Sequence, residues 1–162
     1  MTGGAAARDD HLIIRPYEPQ DEAVVVRLWD ACNLRVPYND VAWDIAFCRS
    51  SESNSRLFVG QTGTDVVASV MVGHDGHRGW LYYVAVDPEL RRQGIGRRMV
   101  AHAEAWLATL GVWKTHLLIR QTNSGMKTFY ESLGYEVAPR IMMAKAIAPS
   151  PAFLDPLDED PA

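Results

Sequence analysis

A loop rich in arginine and glycine, between a predicted strand and a predicted helix, carries the strongest chemical signal in the sequence. An aromatic and β-branched run ends at Asp87-Pro88, and Arg91-Arg92-Gln93-Gly94-Ile95-Gly96-Arg97 follows it. Glycine allows the backbone to approach a ligand closely, the start of a helix presents free N–H groups, and arginine adds positive charge. Together these groups are suited to holding a pyrophosphate.

This loop differs from the two common nucleotide-binding loops. A Rossmann fingerprint needs three glycines spaced G-x-G-x-x-G, and the third of those positions is Met99 here. A Walker loop needs Gly-Lys followed by Ser or Thr, and the sequence contains no such run. The glycines therefore predict neither a Rossmann dinucleotide site nor a P-loop.

The composition is that of an ordinary globular domain of 162 residues, with 48% hydrophobic and 22% charged residues. A net charge of −4 argues against nucleic acid as a partner. No apolar run reaches transmembrane length, and the N-terminus lacks the apolar core of a signal peptide. We therefore expect a cytoplasmic protein with no membrane partner.

Hydrophobic periodicity and turn residues predict one domain over residues 11–147, with the element order β-α-α-β-β-β-α-β-α-β. The predicted strands are residues 11–15, 57–61, 66–73, 80–86 and 115–119, with one or two more within 135–147. Capping residues predict helix starts near Asp21, at Asn39 or Asp40, after Gly96, and at Asn123 or Ser124. Residues 1–10 and the acidic, proline-rich residues 148–162 are predicted to be disordered.

This order of elements resembles the GNAT family of acetyl-CoA-dependent N-acetyltransferases, and the likeness covers roughly residues 11–147. The run from Arg91 to Gly96 looks like the family's pyrophosphate loop. Asn123-Ser124-Gly125-Met126-Lys127-Thr128-Phe129-Tyr130-Glu131-Ser132-Leu133-Gly134-Tyr135 looks like its later segment. Within the family, Leu28-Trp29-Asp30 and Gly73-His74-Asp75-Gly76-His77 are similar to the YpeA-type bacterial branch. The resemblance implies an α+β fold of three layers, a mixed central sheet flanked by helices.

The resemblance also implies roles for individual residues. A bulge in the strand that contains Val84 would splay it from the next strand, leaving a slot for the pantetheine arm. Asn123 would hydrogen-bond the pantetheine, and Tyr130 would be the catalytic residue beside the sulfur. The cofactor-binding residues are then Val84, Ala85, Val86, Arg91, Arg92, Gln93, Gly94, Ile95, Gly96, Arg97 and Asn123.

The implied reaction is direct transfer of an acetyl group from acetyl-CoA, the cosubstrate, to a primary amine of a small molecule, peptide or protein. An amine with a pKa near ~10 must lose a proton before it attacks, so a base or a water path is needed. The leaving thiolate has a pKa near ~8.5, so a tyrosine hydroxyl such as that of Tyr130 can protonate it. Tyr38 and Asp75 are candidate substrate-binding residues. The base is left open among His74, Asp75, His77, Asp40 and Asp44.

Several alternatives remain open at this point. On pattern alone, Tyr130 fits the buried stripe of its helix, and Asn123 fits a helix cap. His74, Asp75 and His77 flank an Asp-Gly turn and are too few for a convincing metal site, so we expect no metal. A catalytically silent CoA-binding or sensing domain on the same fold is the alternative to an enzyme. The sequence also leaves open whether the chain is a homodimer.

Overall fold

The computed structural model describes residues 11–153. The disorder predicted for residues 1–10 lies outside the described residues, as does that predicted for the part of 148–162 that follows residue 153. Residues 148–153 are described, and they include a short 3-10 turn at Pro151–Phe153. The Ser150 hydroxyl donates a hydrogen bond of 2.6 Å to the Tyr38 carbonyl, so this segment lies against the loop between the first two helices.

Within residues 11–153 the chain forms five strands and four α-helices, in the order β-α-α-β-β-β-α-β-α. The strands are β1 Leu12–Pro16, β2 Ser55–Thr62, β3 Asp65–His74, β4 Gly79–Val86 and β5 Thr115–Leu117. The helices are α1 Glu22–Ala31, α2 Val41–Arg49, α3 Ile95–Thr109 and α4 Ser124–Glu131.

The strands form one mixed sheet with the spatial order β1-β2-β3-β4-β5. The first three pairings are antiparallel, and β4 pairs with β5 in parallel. Helix α3 connects β4 to β5, as a parallel pairing requires a long crossover. This confirms the predicted mixed sheet flanked by helices.

The sheet has a helical layer on each face because the side chains of its strands alternate. In β2, Leu57 and Val59 pack in the cluster with α1 and α2, whereas Phe58 packs in the cluster with α3 and α4. The same alternation places Val70 and Met71 of β3 on opposite faces. Each fully buried side chain of this size contributes about 1.5–3 kcal/mol, so both layers are held firmly to the sheet.

The local signals for the helices agree with the structure. The Asp40 carboxylate caps α2 by accepting a hydrogen bond of 3.0 Å from the Trp43 backbone N–H. Asn123 is the N-cap of α4. Gly111 and Gly134 follow α3 and α4 with φ of 81° and 90°, the left-handed conformation that ends helices and favours glycine.

The prediction of one or two strands within residues 135–147 is wrong. The structure shows no strand in this segment, and Ile141, Met143 and Ile147 are 91%, 91% and 95% exposed. Pro139 lacks the N–H that a strand ladder uses, and none of the described strands pairs with the segment. Its apolar residues supply strand propensity without a partner, and propensity alone does not form a strand.

Candidate active site

The sheet opens between β4 and β5. The parallel pairing joins Gly79 to Thr115, Trp80 to His116 and Leu81 to Leu117, and it ends there. Strand β4 continues to Val86. From Tyr82 onward, the edge of β4 that faces β5 has no strand partner among residues 11–153. A slot along the β5 side of β4 therefore begins where the β4–β5 pairing stops.

A bulge in β4 lies at the start of this slot. Ser69 pairs with Ala85 and Met71 pairs with Tyr82, so Val70 alone faces the two residues Tyr83 and Val84. The extra residue bends the strand and changes the direction of the backbone groups that follow. The bulge implied for this strand is thereby confirmed, and it immediately precedes Ala85 and Val86.

The glycine-rich loop leads from the end of β4 into α3. Gly94 is the N-cap residue of α3 with φ of 82°, and Arg92 has φ of 62°. Arg91, Arg92, Gln93, Gly94 and Arg97 are exposed, whereas Ile95 is buried in the core and fixes the start of the helix. The arrangement leaves the loop backbone and its arginines accessible at the N-terminus of α3, where an anion is favoured.

The second glycine of the loop serves mainly for helix packing. A Cβ added at Gly96 would lie 3.2 Å from the Phe129 ring of α4 and 3.6 Å from Val86. Gly96 therefore allows α4 to approach the start of α3 closely. This contact brings the α4 segment beside the end of β4.

Asn123 and Tyr130 lie at the two ends of α4. The Asn123 side chain is exposed and makes no capping hydrogen bond, so the amide is not used by its own helix. Tyr130 is 7% exposed and contacts the rings of Phe129 and Tyr135 edge-on, at centroid distances of 5.0 and 5.5 Å. Burial raises the pKa of Tyr130 to about 12, so its hydroxyl keeps its proton at neutral pH.

The two candidate substrate residues are separate from each other. Tyr38 lies exposed in the loop between α1 and α2. Asp75 is at the β3–β4 turn, where its carboxylate accepts hydrogen bonds from the backbone N–H groups of His77 and Arg78 and from the Trp80 indole. The hydrogen bond from Arg78, followed by those from Trp80 and His77, lowers the pKa of Asp75.

The sequence interpretation missed a cluster on the α1 and α2 side of the slot. The Tyr83 hydroxyl donates a hydrogen bond of 2.5 Å to the Asp44 carboxylate, and the Tyr83 ring stacks on Trp29 at 3.9 Å. Ser69 receives a hydrogen bond from the Trp29 indole and donates one to the Tyr83 carbonyl. Asp44 and Tyr83 are 39 residues apart, so no local pattern could have joined them.

Strained backbone is concentrated around the slot. Within residues 11–153, the non-glycine residues with positive φ are Asn33, Tyr83 and Arg92. Tyr83 forms the bulge, Arg92 lies in the loop before α3, and the Asn33 carbonyl accepts a hydrogen bond from Arg120, which follows β5. Such conformations cost of order 1–3 kcal/mol each and tend to cluster at functional sites.

Comparisons with known proteins agree with this geometry. A model described as the acetyltransferase (GNAT) family matches residues 23–135. An acetyltransferase of Pectobacterium atrosepticum is 36% identical over 135 residues, which make up 83% of this chain and 94% of that protein.

Two solved structures share the fold. AAC(6')-Iy in complex with the bisubstrate analog CoA-S-monomethyl-acetylneamine has a TM-score of 0.69 and 15% identity, covering 85% of this chain and 99% of that one. Glucosamine-6-phosphate N-acetyltransferase from Arabidopsis thaliana has a TM-score of 0.65 and 22% identity, with coverage of 85% and 99%. At these identities the likeness shows the fold alone.

The architecture is thus a mixed sheet flanked by helices and open between β4 and β5, and it shares its fold with these two acetyltransferase structures. By sequence, the chain belongs to the GNAT family, and it is an acetyl-CoA-dependent N-acetyltransferase. Among the described residues, no helix is long and apolar enough to cross a membrane. The same residues contain no group of three or more potential metal ligands.

Proposed function

We propose that this chain transfers the acetyl group of acetyl-CoA directly to a primary amine held in the slot beside β4. The observation that carries this proposal is the end of the β4–β5 pairing at Leu81 and Leu117, next to a glycine-initiated helix. The free edge of β4 offers backbone groups to an extended chain, and the loop offers charge and N–H groups to a pyrophosphate. These two features match the two halves of coenzyme A.

The residue roles follow the slot from one end to the other. Arg91 to Arg97, with Arg92 as the main charge, would hold the pyrophosphate. Val84, Ala85 and Val86 would hydrogen-bond the pantetheine arm and the thioester through their backbone, and Asn123 would bind the arm from α4. A backbone N–H held in the bulge is preorganised to stabilise the oxyanion of the tetrahedral intermediate.

Tyr130 would protonate the departing sulfur. Its hydroxyl is protonated at neutral pH because burial raises its pKa to about 12. Tyr130 also belongs to the same packed cluster as Val84 and Val86, which are at the C-terminal end of β4. A tyrosine protonated in the resting enzyme is suited to act as an acid toward a thiolate.

Release of free thiol tests the proposed function. The full chain is incubated with acetyl-CoA and a panel of polyamines, aminoglycosides, amino acids and short peptides. We expect thiol release that depends on one class of amine, together with an acetylated product of matching mass. Tight CoA binding without acetylation of any amine would contradict the proposal and favour a silent CoA-binding domain.

We further propose that the protein acts in the cytoplasm and that it forms a homodimer. The exposed apolar side chains of Val137, Ile141, Met143 and Ile147 support the dimer, because a second copy can cover them. Light scattering coupled to size exclusion should give twice the mass of the 18.1 kDa chain. A mass of one chain at all protein concentrations would contradict the dimer.

A further inference from the structure

The acceptor amine must lose a proton during the reaction. Among the described residues, one candidate for accepting that proton is hydrogen-bonded to a residue of the slot itself. Asp40 is occupied as the cap of α2, and Asp75 is occupied by the β3–β4 turn. His74 and His77 belong to the same turn. Asp44 differs from all of these, since its carboxylate is bonded to Tyr83 at the bulge of β4.

We propose that Tyr83 is the catalytic group that takes the proton of the acceptor amine, and that Asp44 acts through Tyr83 by receiving the tyrosine's own proton. This inference rests on the proposed function and names the base for the same site. It assigns Asp44 as a positioning residue, because it reaches the amine only through the Tyr83 hydroxyl.

The position of Tyr83 suits this role. It is the residue immediately before Val84, and it lies in the bulge at the start of the slot. Its side chain packs in the α1 and α2 cluster, whereas Tyr130 packs in the α3 and α4 cluster on the opposite face of the sheet. The two tyrosines therefore flank the same stretch of β4, which keeps the group that accepts a proton away from the group that donates one.

Contacts to Trp29, Ser69 and Asp44 hold Tyr83 in place. Its backbone has φ of 49°, a conformation that costs an aromatic residue roughly 1–2 kcal/mol. Stacking on the fully buried Trp29 fixes the ring, and the Ser69 hydroxyl, itself bonded to Trp29, fixes the carbonyl. These contacts hold the hydroxyl in a single position while the strand around it remains strained.

The charges around Tyr83 set the direction of proton transfer. Burial, and then the hydrogen bond to Asp44, raise its pKa, while the Asn39 side chain and the Arg120 charge oppose this. Tyr83 is therefore protonated at neutral pH, and its proton points to Asp44. Its oxygen keeps a lone pair that can accept a proton from a substrate nitrogen.

In the proposed step, the free amine attacks the thioester carbon and the C–N bond forms. The N–H proton moves to the Tyr83 oxygen, and the Tyr83 proton moves to Asp44 at the same time. The C–S bond then breaks, and sulfur keeps the electron pair and takes a proton from Tyr130. Asp44 is half-exposed and returns its proton to water, while Tyr130 regains one from water. The products are the N-acetylated amine and CoA thiol.

Three variants of the full chain test the relay, with saturating acetyl-CoA and the amine that the panel shows to be acetylated fastest. Tyr83→Phe keeps the ring stack and removes the hydroxyl, so kcat should fall about 10²-fold, as expected for loss of a general base. The KM for acetyl-CoA should change less than about threefold, since the variant removes an interaction used only in the transition state.

Asp44→Asn distinguishes proton acceptance from simple positioning. The asparagine carbonyl can accept the same hydrogen bond from Tyr83, yet it cannot take the proton. We expect kcat to fall by about 10²-fold in this variant and in the Tyr83→Phe, Asp44→Asn double variant alike, because the two groups act in series. Unchanged kcat in Asp44→Asn would overturn its role in the relay.

Tyr17→Phe is the matched control. Tyr17 is a buried tyrosine of the same α1 and α2 cluster, and its hydroxyl donates to Glu22 at 3.5 Å. This variant should keep kcat, and the melting temperatures of all variants show whether folding is affected. If the parent turns over and Tyr83→Phe has the same kcat, the role of Tyr83 is excluded while the proposed function stands. No turnover by the parent with any amine removes the proposed function and the inference together.

Discussion

The two faces of the sheet contribute to the slot in different ways. The α3 and α4 face supplies two continuous runs of residues, the loop around Gly94 and the α4 segment with Tyr130, and each run is readable on its own. The α1 and α2 face supplies Tyr83 and Asp44, which are 39 residues apart and meet through tertiary packing. The comparison teaches that the residues proposed to bind the cofactor are encoded in local runs, whereas the residues proposed to meet the acceptor amine depend on how distant elements pack.

Each face also contains one tyrosine with a hydrogen bond of 2.7 Å or shorter to a carboxylate. The Tyr83 hydroxyl donates to Asp44 at 2.5 Å, and the Tyr135 hydroxyl donates to Glu104 at 2.7 Å. Their chemistry is the same, but of the two tyrosines Tyr83 has positive φ and lies in a β-bulge. We therefore expect the Tyr83 pair to serve catalysis and the Tyr135 pair to serve stability.

The largest effect is expected from the loop of the α3 and α4 face. Gly94 and Gly111 border the two ends of α3 with φ of 82° and 81°, so Gly94→Trp and Gly111→Trp introduce similar backbone strain. Gly94→Trp should raise the Kd for acetyl-CoA about 10²-fold, equal to about 2.7 kcal/mol, because the loop can no longer approach the pyrophosphate. Gly111→Trp should leave the affinity unchanged.

Calorimetry with acetyl-CoA measures both affinities, and thermal melting confirms that both variants fold. Equal affinity in the parent and in Gly94→Trp would remove this loop from the binding site. It would also remove the distinction between a cofactor face and an acceptor face.

Tyr130→Phe tests the acid on the same face. Loss of the hydroxyl should lower kcat by about 10²-fold or somewhat less, since a thiolate is already a fair leaving group. The pKa of Tyr130 is raised to about 12, so this acid stays protonated as the pH rises through the neutral range. The ratio of parent to variant kcat should therefore stay constant between about pH 6 and about pH 9. A ratio that approaches one anywhere in that range would contradict an acid with this pKa.

A smaller effect is expected from Arg92→Ala. The exposed guanidinium should contribute a charge-assisted contact to a phosphate, so its loss should weaken acetyl-CoA binding about fivefold at low salt. Added salt should weaken binding less in the variant than in the parent. Lys127→Ala is a suitable control, because it also removes one exposed positive charge, and Lys127 pairs with Glu131 within α4 rather than with the loop. Identical salt dependence in Arg92→Ala and parent would show that Arg92 does not contact the phosphate.

The smallest effect is expected from Tyr135→Phe. Loss of the hydrogen bond to Glu104 should lower the free energy of unfolding by about 0.5–1.5 kcal/mol, or roughly 1–6 °C in Tm for a chain of this size. The ring remains against Tyr130, so kcat should stay within about threefold of the parent. A loss of kcat as large as that expected for Tyr83→Phe would erase the functional difference between the two tyrosine–carboxylate pairs.

Local signals predicted most of the fold. The Asp40 cap, the Gly111 and Gly134 helix ends and the Asp75-Gly76 turn are short-range features, and each is found where the sequence indicates. The mixed sheet was implied by the resemblance to the GNAT family. The loop before α3 and the α4 segment could be singled out because each is one continuous run of residues that resembles a family motif, and their binding roles stay predictions.

Contacts between distant residues could not be predicted in the same way. The bond between Asp44 and Tyr83 depends on how α2 packs on the sheet, and the positive φ of Tyr83 depends on the register of β3. The strand expected within residues 135–147 failed because a strand exists only when another strand pairs with it. The role of Asp75 in the turn could be predicted from its Asp-Gly sequence, because an aspartate carboxylate in a turn often accepts hydrogen bonds from nearby backbone N–H groups.

The left-handed backbone at Tyr83 has a consequence for engineering this enzyme. Glycine at that position would relieve roughly 1–2 kcal/mol of strain, although it would also lose the stacking on Trp29. Loss of the stacked ring costs more than the relieved strain, so selection for heat resistance alone would keep an aromatic ring at the bulge. Phenylalanine there would retain the stacking while it discards the hydroxyl that faces Asp44. Directed evolution of a more robust variant should accordingly keep Tyr83 fixed and seek its gains at exposed positions outside the slot and outside the apolar segment proposed to form the dimer contact.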